Sequence, residues 1–319
     1  MSVSEPFRTL RSQGYHIVGR HSAVKTCPWV KNSLTKGKVC YKEKFYGIKS
    51  HRCLQMSPAV AYCANRCLYC WRLMPGERGL NWDGERMPEE DDPREIVEGA
   101  LKAHRKALNG FKGNPLVPSE RWEEAVRPRH VAISLSGEPT NYSRLDGLIE
   151  EFSRRGMTTF LVTNGTNPGA LKRIREPTQL YVSLSAPTEE AYRRVCRPTA
   201  EGNWVKVMES LSLLGGFSCP TVIRITAVRD LNMFDPDAYS RVISKGNPTY
   251  VEVKAYMHVG FSTGRLGFES MPSHREILGF AKELAERTGY EVVDEVPISR
   301  VALLSRVGKP VLSTLHRMS

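Results

Sequence analysis

Between residues 92 and 288, apolar runs alternate with amphipathic stretches at short, regular intervals. No other feature limits the fold so much. Asp92-Pro93 reads as a helix start, a capping carboxylate followed by a residue whose missing amide costs nothing in the first turn. Ile96, Val97, Ala100, Leu101, His104 and Leu108 then keep one helical face. The same reading gives helices over 144–155, 169–175, 188–195, 204–214, 235–243 and 274–288. Strands fall over 130–135, 158–163, 180–185, 222–228 and 250–256, with 56–61 as the first. Alternation at this spacing means parallel βαβ units, with strands covered on both faces. Six such strands are too few for a closed eight-stranded barrel. Two further extended segments, 290–296 and 301–305, follow. The polar stretches Ser136-Gly-Glu-Pro-Thr140, Thr163-Asn-Gly-Thr166 and Ser185-Ala-Pro-Thr188 each follow a strand, so they share the rim where such folds place active sites.

Composition narrows the class. Of the 319 residues 40% are hydrophobic and 25% charged, ordinary globular values. No apolar run is long enough to span a membrane, and the first thirty residues lack the apolar core of an export signal. A cytoplasmic protein is expected. The net charge of +12 is unevenly placed: residues 1–60 carry eleven Lys/Arg and two acids, and residues 300–319 carry four Lys/Arg and no acid. Basic ends on a near-neutral body suit a polyanion such as nucleic acid.

Six of the eight cysteines, Cys27, Cys40, Cys53, Cys63, Cys67 and Cys70, lie within 44 residues. Clustered cysteines in a long chain without an export signal point to metal or redox chemistry rather than a disulfide scaffold. Cys63-x3-Cys67-x2-Cys70 offers three thiolates on one loop, one short of the four that close a zinc site or saturate a [4Fe–4S] cube. With Tyr69 before the last cysteine, this loop resembles the signature of the radical S-adenosylmethionine (SAM) enzymes. The resemblance implies a cluster whose open iron chelates SAM and whose electron yields a 5′-deoxyadenosyl radical. It also implies an α/β partial (β/α)6 TIM-like barrel. Upstream, Cys27-x12-Cys40-x12-Cys53 provides three more thiols. They hold either a second cluster or a zinc completed by His21 or His51, or they are buried thiols without a ligand.

Several segments together resemble one family within that superfamily, the tRNA 4-demethylwyosine synthases. They are Cys40-Tyr-Lys-Glu-Lys-Phe-Tyr-Gly-Ile48, Cys70-Trp-Arg72, the Gly-Glu-Pro and Thr-Asn-Gly-Thr rims, Glu252-Val-Lys-Ala-Tyr-Met-His-Val-Gly260, Arg265-Leu266, Met271-Pro272 and Ser299-Arg-Val-Ala-Leu-Leu304. The resemblance implies a carbon–carbon lyase that condenses N1-methylguanosine in tRNA(Phe) with pyruvate to form the tricyclic base of the wybutosine pathway. It implies two [4Fe–4S] clusters and SAM. Eukaryotic members carry an additional flavodoxin-like domain, so a chain of this length is expected to be the stand-alone archaeal form, served by an external electron donor. The expected organisation is an N-terminal extension over 1–53 with the second set of cysteines, a barrel over 54–289 and a basic C-terminal extension over 290–319.

Residue by residue, the resemblance makes Cys63, Cys67 and Cys70 the ligands of the SAM cluster, and Cys27, Cys40 and Cys53 those of the second. Lys42 would form a Schiff base with the pyruvate ketone, with Lys44 as rival, and Lys38 and Lys44 would be the cations that keep its amine neutral. Tyr69, Glu138, Asn164 and Ser185 would contact SAM, Glu138 through its ammonium group. Arg224 and Lys254 sit within strands and need partners, either the SAM carboxylate or an acid such as Glu252. Phe45, Tyr46, Trp71 and Arg72 are candidates to stack on RNA bases, and Cys196 and Cys219 are expected to be buried. Two other readings remain: a twin-cluster radical SAM enzyme with a non-tRNA substrate, and a non-enzymatic Zn- or Fe–S-dependent RNA-binding or sensor protein.

Overall fold

The computed structural model describes residues 4–308. In chain order the elements are α1 (Ser4–Ser12), β1 (His16–Val18), β2 (Ser22–Val24), α2 (Pro28–Lys36), α3 (Tyr41–Tyr46), β3 (Cys53–Ser57), α4 (Pro93–Leu108), α5 (Ser119–Ala125), β4 (His130–Ile133), α6 (Leu145–Arg154), β5 (Thr158–Thr163), α7 (Pro168–Leu171), β6 (Gln179–Ser183), α8 (Glu189–Cys196), α9 (Asn203–Ser212), β7 (Thr221–Ala227), α10 (Pro236–Gly246), β8 (Tyr250–Ala255), α11 (His274–Thr288), β9 (Glu291–Val296) and β10 (Val301–Ser305). All ten strands form one sheet in the order β1-β2-β3-β4-β5-β6-β7-β8-β10-β9. The six central strands, β3 to β8, are parallel and run in sequence order. The hairpin β1–β2 adds antiparallel to β3, and β10 and β9 add antiparallel beyond β8. This is the expected six-stranded partial barrel, extended at both edges.

Strand alternation sorts the side chains into two layers. Leu54, Met56, Val131, Ile133, Leu161, Leu180, Val182, Ile223, Ile225, Val251 and Val253 face outward and pack under the helices. Phe160, Tyr181, Val222 and Tyr250 face the lumen. There they meet Tyr41, Phe45, Tyr46 and Ile48, so α3 and its exit close the lumen at the end where the strands begin.

The first barrel strand differs from the expected 56–61. It starts at Cys53, in register with His130, and ends at Ser57, because Pro58 has no amide to continue the ladder. Four helices, α1, α2, α3 and α5, escaped the sequence reading altogether, and two of them begin at cysteines. Cys27 and Cys40 occupy the N-cap positions of α2 and α3, and Gly37 and Gly47 end those helices with φ of 64° and 70°. The regular spacing of the cysteines is thus a repeated cysteine–helix–glycine unit. Cysteine is not among the usual capping residues, so periodicity alone did not reveal it. Of the basic C-terminal residues, Lys309 and Arg317 lie outside the described residues.

Candidate active site

At the rim, the loop after β3 carries Cys63, Cys67 and Cys70. Burial pushes the Cys63 thiol up to about 12 and also raises Cys70, while Cys67 is raised by a contact with the Cys196 thiol and by burial. Cys196 is itself buried, as expected. Arg72 is 3% exposed and lies against these thiols, so it is no surface stacking residue. Its Nη2 donates to Asn65 O at 2.6 Å, while Nη1 is buried with no partner among the described residues.

Three thiols and an orphaned guanidinium nitrogen fit an anionic cluster. A metal restores the thiolate that burial disfavours. Among the described residues no three His, Cys, Asp or Glu side chains converge on a single ion. A cube asks for something different, one thiolate on each of three irons.

The neighbouring rims close around this loop. Gly137 has φ of 70°, and a Cβ there would lie 1.8 Å from Ala59 O, so only glycine fits. Glu138 is 1% exposed. Its Oε1 accepts from Thr163 Oγ1 (2.5 Å), Thr140 Oγ1 (2.7 Å) and Thr140 N (3.1 Å), and Oε2 accepts from Asn164 N (2.7 Å). Burial raises its pKa, against those hydrogen bonds. Oε2 keeps one acceptor position for a further donor. Asn164 Nδ2 reaches Cys63 Sγ at 3.4 Å, and Tyr69 OH bonds Ser185 Oγ at 2.6 Å. The structure therefore gathers Tyr69, Glu138, Asn164 and Ser185 around the Cys63–Cys70 loop.

A second group lies deeper. The amides of Trp29 and Val30 point at the Cys27 sulfur, and the amide of Lys42 at that of Cys40. Helix N-termini favour thiolates. Burial dominates nonetheless, raising Cys27 and pushing Cys40 to about 11 and Cys53 to about 12. The histidines offered for a zinc site are engaged elsewhere. His51 Nε2 pairs with Glu124 at 2.7 Å, and His21 Nε2 accepts from Asp91 N at 2.9 Å.

Lys42 projects from α3 into the lumen, 9% exposed, with Nζ 4.3 Å from the Tyr181 ring centre and 5.0 Å from that of Phe160. Burial lowers its pKa to about 8, and Arg224 adds to that. The expected cations Lys38 and Lys44 do not play this part. Lys44 is half exposed, paired with Asp294 at 2.6 Å.

Arg224 Nη2 pairs with Glu252 Oε2 at 2.7 Å, an acid partner rather than a ligand carboxylate. Tyr46 OH donates to Glu252 Oε1 at 2.8 Å, so Tyr46 is part of the lumen network and not an RNA platform; Phe45 is buried beside it. Burial opposes ionisation of Glu252, but Arg224, Lys42 and Tyr46 outweigh it and hold the carboxyl below its ordinary range. Lys254, lowered to about 8 by burial and then by Arg224, donates to Ser299 O at 2.9 Å.

Comparison with known proteins gives the family. The radical SAM superfamily profile matches residues 58–242, and a profile described as wyosine base formation matches 245–306. The chain is 50% identical to an S-adenosyl-L-methionine-dependent tRNA 4-demethylwyosine synthase of Pyrococcus abyssi, over 93% of this chain and 87% of the relative. It is 40% identical to the enzyme of the same description from Methanocaldococcus jannaschii, over 98% and 99% of the two chains. A solved structure described as TYW1 with a lysine-pyruvate adduct bound superposes with a TM-score of 0.88 at 38% identity, covering 98% of each chain. With this agreement over nearly its whole length, the chain belongs to the tRNA 4-demethylwyosine synthase family of radical SAM enzymes.

Proposed function

We propose that the chain is a lyase that condenses N1-methylguanosine, next to the anticodon of tRNA(Phe), with pyruvate to form 4-demethylwyosine. One observation carries the reading: a buried amine, Lys42, set against the Phe160 and Tyr181 rings in the lumen and depressed to about 8. A lysine kept neutral by burial and a neighbouring cation is suited to attack a ketone. Lys42 Nζ adds to the keto carbon, and loss of water leaves a Schiff base. The lumen also has a charge preference. Arg224 already takes Glu252 as its carboxylate, so when Lys42 or Lys254, both lowered to about 8, carries a proton, that charge lacks a carboxylate of its own. Buried charge needs a counter-charge. The carboxylate of a keto acid, or thiolates on Cys27, Cys40 and Cys53 holding a second cluster, would supply it.

At the rim, Cys63, Cys67 and Cys70 would hold the SAM cluster, with Glu138 Oε2 accepting from the SAM ammonium. When bound, cluster and SAM supply the radical that takes a hydrogen atom from the N1-methyl group. Tyr69, Ser185 and Asn164 would line the SAM site. On this reading residues 1–53 bring the second cluster's ligands and the reactive lysine, 54–289 the SAM barrel, and 290–319 a basic extension toward RNA. Among the described residues no helix is long and apolar enough to cross a membrane. We place the reaction in the cytoplasm, with a separate reductase, ferredoxin or flavodoxin as electron donor.

The test is incubation of anaerobically reconstituted protein with SAM, pyruvate, dithionite and N1-methylguanosine-containing tRNA(Phe), followed by digestion and nucleoside mass spectrometry. A tricyclic product that requires both SAM and pyruvate is expected. SAM cleavage with an unchanged nucleoside would overturn the substrate assignment.

A further inference from the structure

Arg265 lies in the loop after β8, far in sequence from every cysteine, yet its guanidinium is wholly committed to the Cys63–Cys70 loop and its exit. Nη1 donates to the carbonyls of Cys67 (3.0 Å), Leu68 (3.2 Å) and Cys70 (2.8 Å), Nη2 to that of Arg72 (2.8 Å), and Nε to Glu77 Oε1 (2.8 Å). Its side chain is 10% exposed. The same segment is fastened beside it. Phe261 N donates to Trp71 O at 3.0 Å, and Gly260 (φ 63°) lies so close that a Cβ would fall 2.6 Å from Trp71 O.

A cysteine loop without helix or strand has carbonyls that must find partners, and water would satisfy them in many arrangements. A guanidinium is planar, always charged and rich in donors, so it selects one arrangement. Arg265 belongs to the segment matched by the wyosine profile, whereas the loop it grips belongs to the general radical SAM segment. The family-specific part of the chain thus reaches back to set the geometry of the shared part.

We propose that Arg265 is a positioning residue for the SAM cluster. It fixes the backbone of Cys67 and Cys70 through their carbonyls, and its charge, felt at Cys70, favours the reduced cluster. This rests on the assignment of Cys63, Cys67 and Cys70 as the ligands of that cluster.

The experiment uses reconstituted full-length protein in which Cys27, Cys40 and Cys53 are all replaced by alanine, so that one cluster is read. Iron and sulfide content, the rate of bleaching by a chelator, the EPR signal with and without SAM, and the midpoint potential are measured for Arg265 and for the variants R265M and R265K. R265M is expected to lose iron to the chelator about tenfold faster, to broaden the EPR signal and to be reduced only at lower potential. R265K, which keeps the charge but not the fork, is expected to restore the potential but not the bleaching rate. Unchanged potential, line shape and bleaching in R265M would overturn the proposal. If R265M does not fold, the split between potential and bleaching in R265K decides in the same way, and its absence would overturn the proposal. C63A in the same background tests the cluster assignment separately: full iron and an unchanged response to SAM would refute that assignment rather than the role of Arg265.

Discussion

Lys42 Nζ stands 4.3 Å from the centre of the Tyr181 ring, in a lumen whose deeper end is covered by α3. Trapping with labelled pyruvate and borohydride should therefore mark Lys42 and spare Lys44, whose charge is tied to Asp294. The reactive form is the neutral amine, so labelling should rise as pH rises and reach half its maximum near pH 8, the value to which burial and Arg224 lower this lysine. Peptide mapping that finds the label on Lys44, or a midpoint near that of a free lysine, would contradict the assignment.

Arg224 and Glu252 form a buried ion pair to which the hydroxyls of Tyr41 and Tyr46 are also joined. Glu252→Gln leaves the guanidinium without its counter-charge. Breaking such a pair costs about 3–5 kcal/mol, which denaturant unfolding of the variant would register. The carboxylate also attracts the charged form of Lys42. Its loss should move the labelling midpoint to lower pH, a change that mere loosening of the fold would not produce.

The two sets of cysteines occupy different depths of the barrel, and their substitutions should separate. Cys63→Ala should abolish reductive cleavage of SAM. Cys27→Ala should spare uncoupled cleavage and remove the tricyclic product. Chromatographic assay of 5′-deoxyadenosine beside nucleoside analysis checks both, and loss of both activities in Cys27→Ala would mean that the two sets do not act separately.

His104 is 1% exposed, with Nε2 bonded to Ala125 O at 2.9 Å, and burial lowers its pKa to about 4. The unfolded chain binds this proton below about pH 6.5 and the folded chain only below about pH 4. Stability should therefore fall as pH drops from about 6.5 to 4, by on the order of 3 kcal/mol from this group. Unfolding curves across that range should flatten in His104→Gln. Equal slopes in variant and parent would refute the account.

Much of the barrel could be read from the chain because its signals are local. The strand over 158–163 and the helix over 274–288 coincide with β5 and α11, where apolar pattern and capping agree. What escaped depends on contacts distant in sequence or on unusual chemistry. Cys27 and Cys40 are not residues that usually cap, so Pro28 at the first turn of α2 and Gly37 at its end, the signals that were there, went unread. Arg72 reads as a planar cation free to stack, and only the folded loop shows it turned inward against the thiols. Arg224 meets Glu252 because β7 and β8 are adjacent and in register, a relation that either strand alone leaves open. Arg265, quoted only as part of a shared motif, gains its meaning from carbonyls nearly two hundred residues away.

Tyr41, Phe45, Tyr46 and Ile48 cover the base of the lumen, and this bears on the order of arrival. For the proposed reaction, a base covered in this way favours entry from the rim, where Tyr69, Glu138, Asn164 and Ser185 stand. The keto acid is then expected to reach Lys42 before SAM and the RNA base, an order that initial-rate kinetics with each partner varied in turn would read.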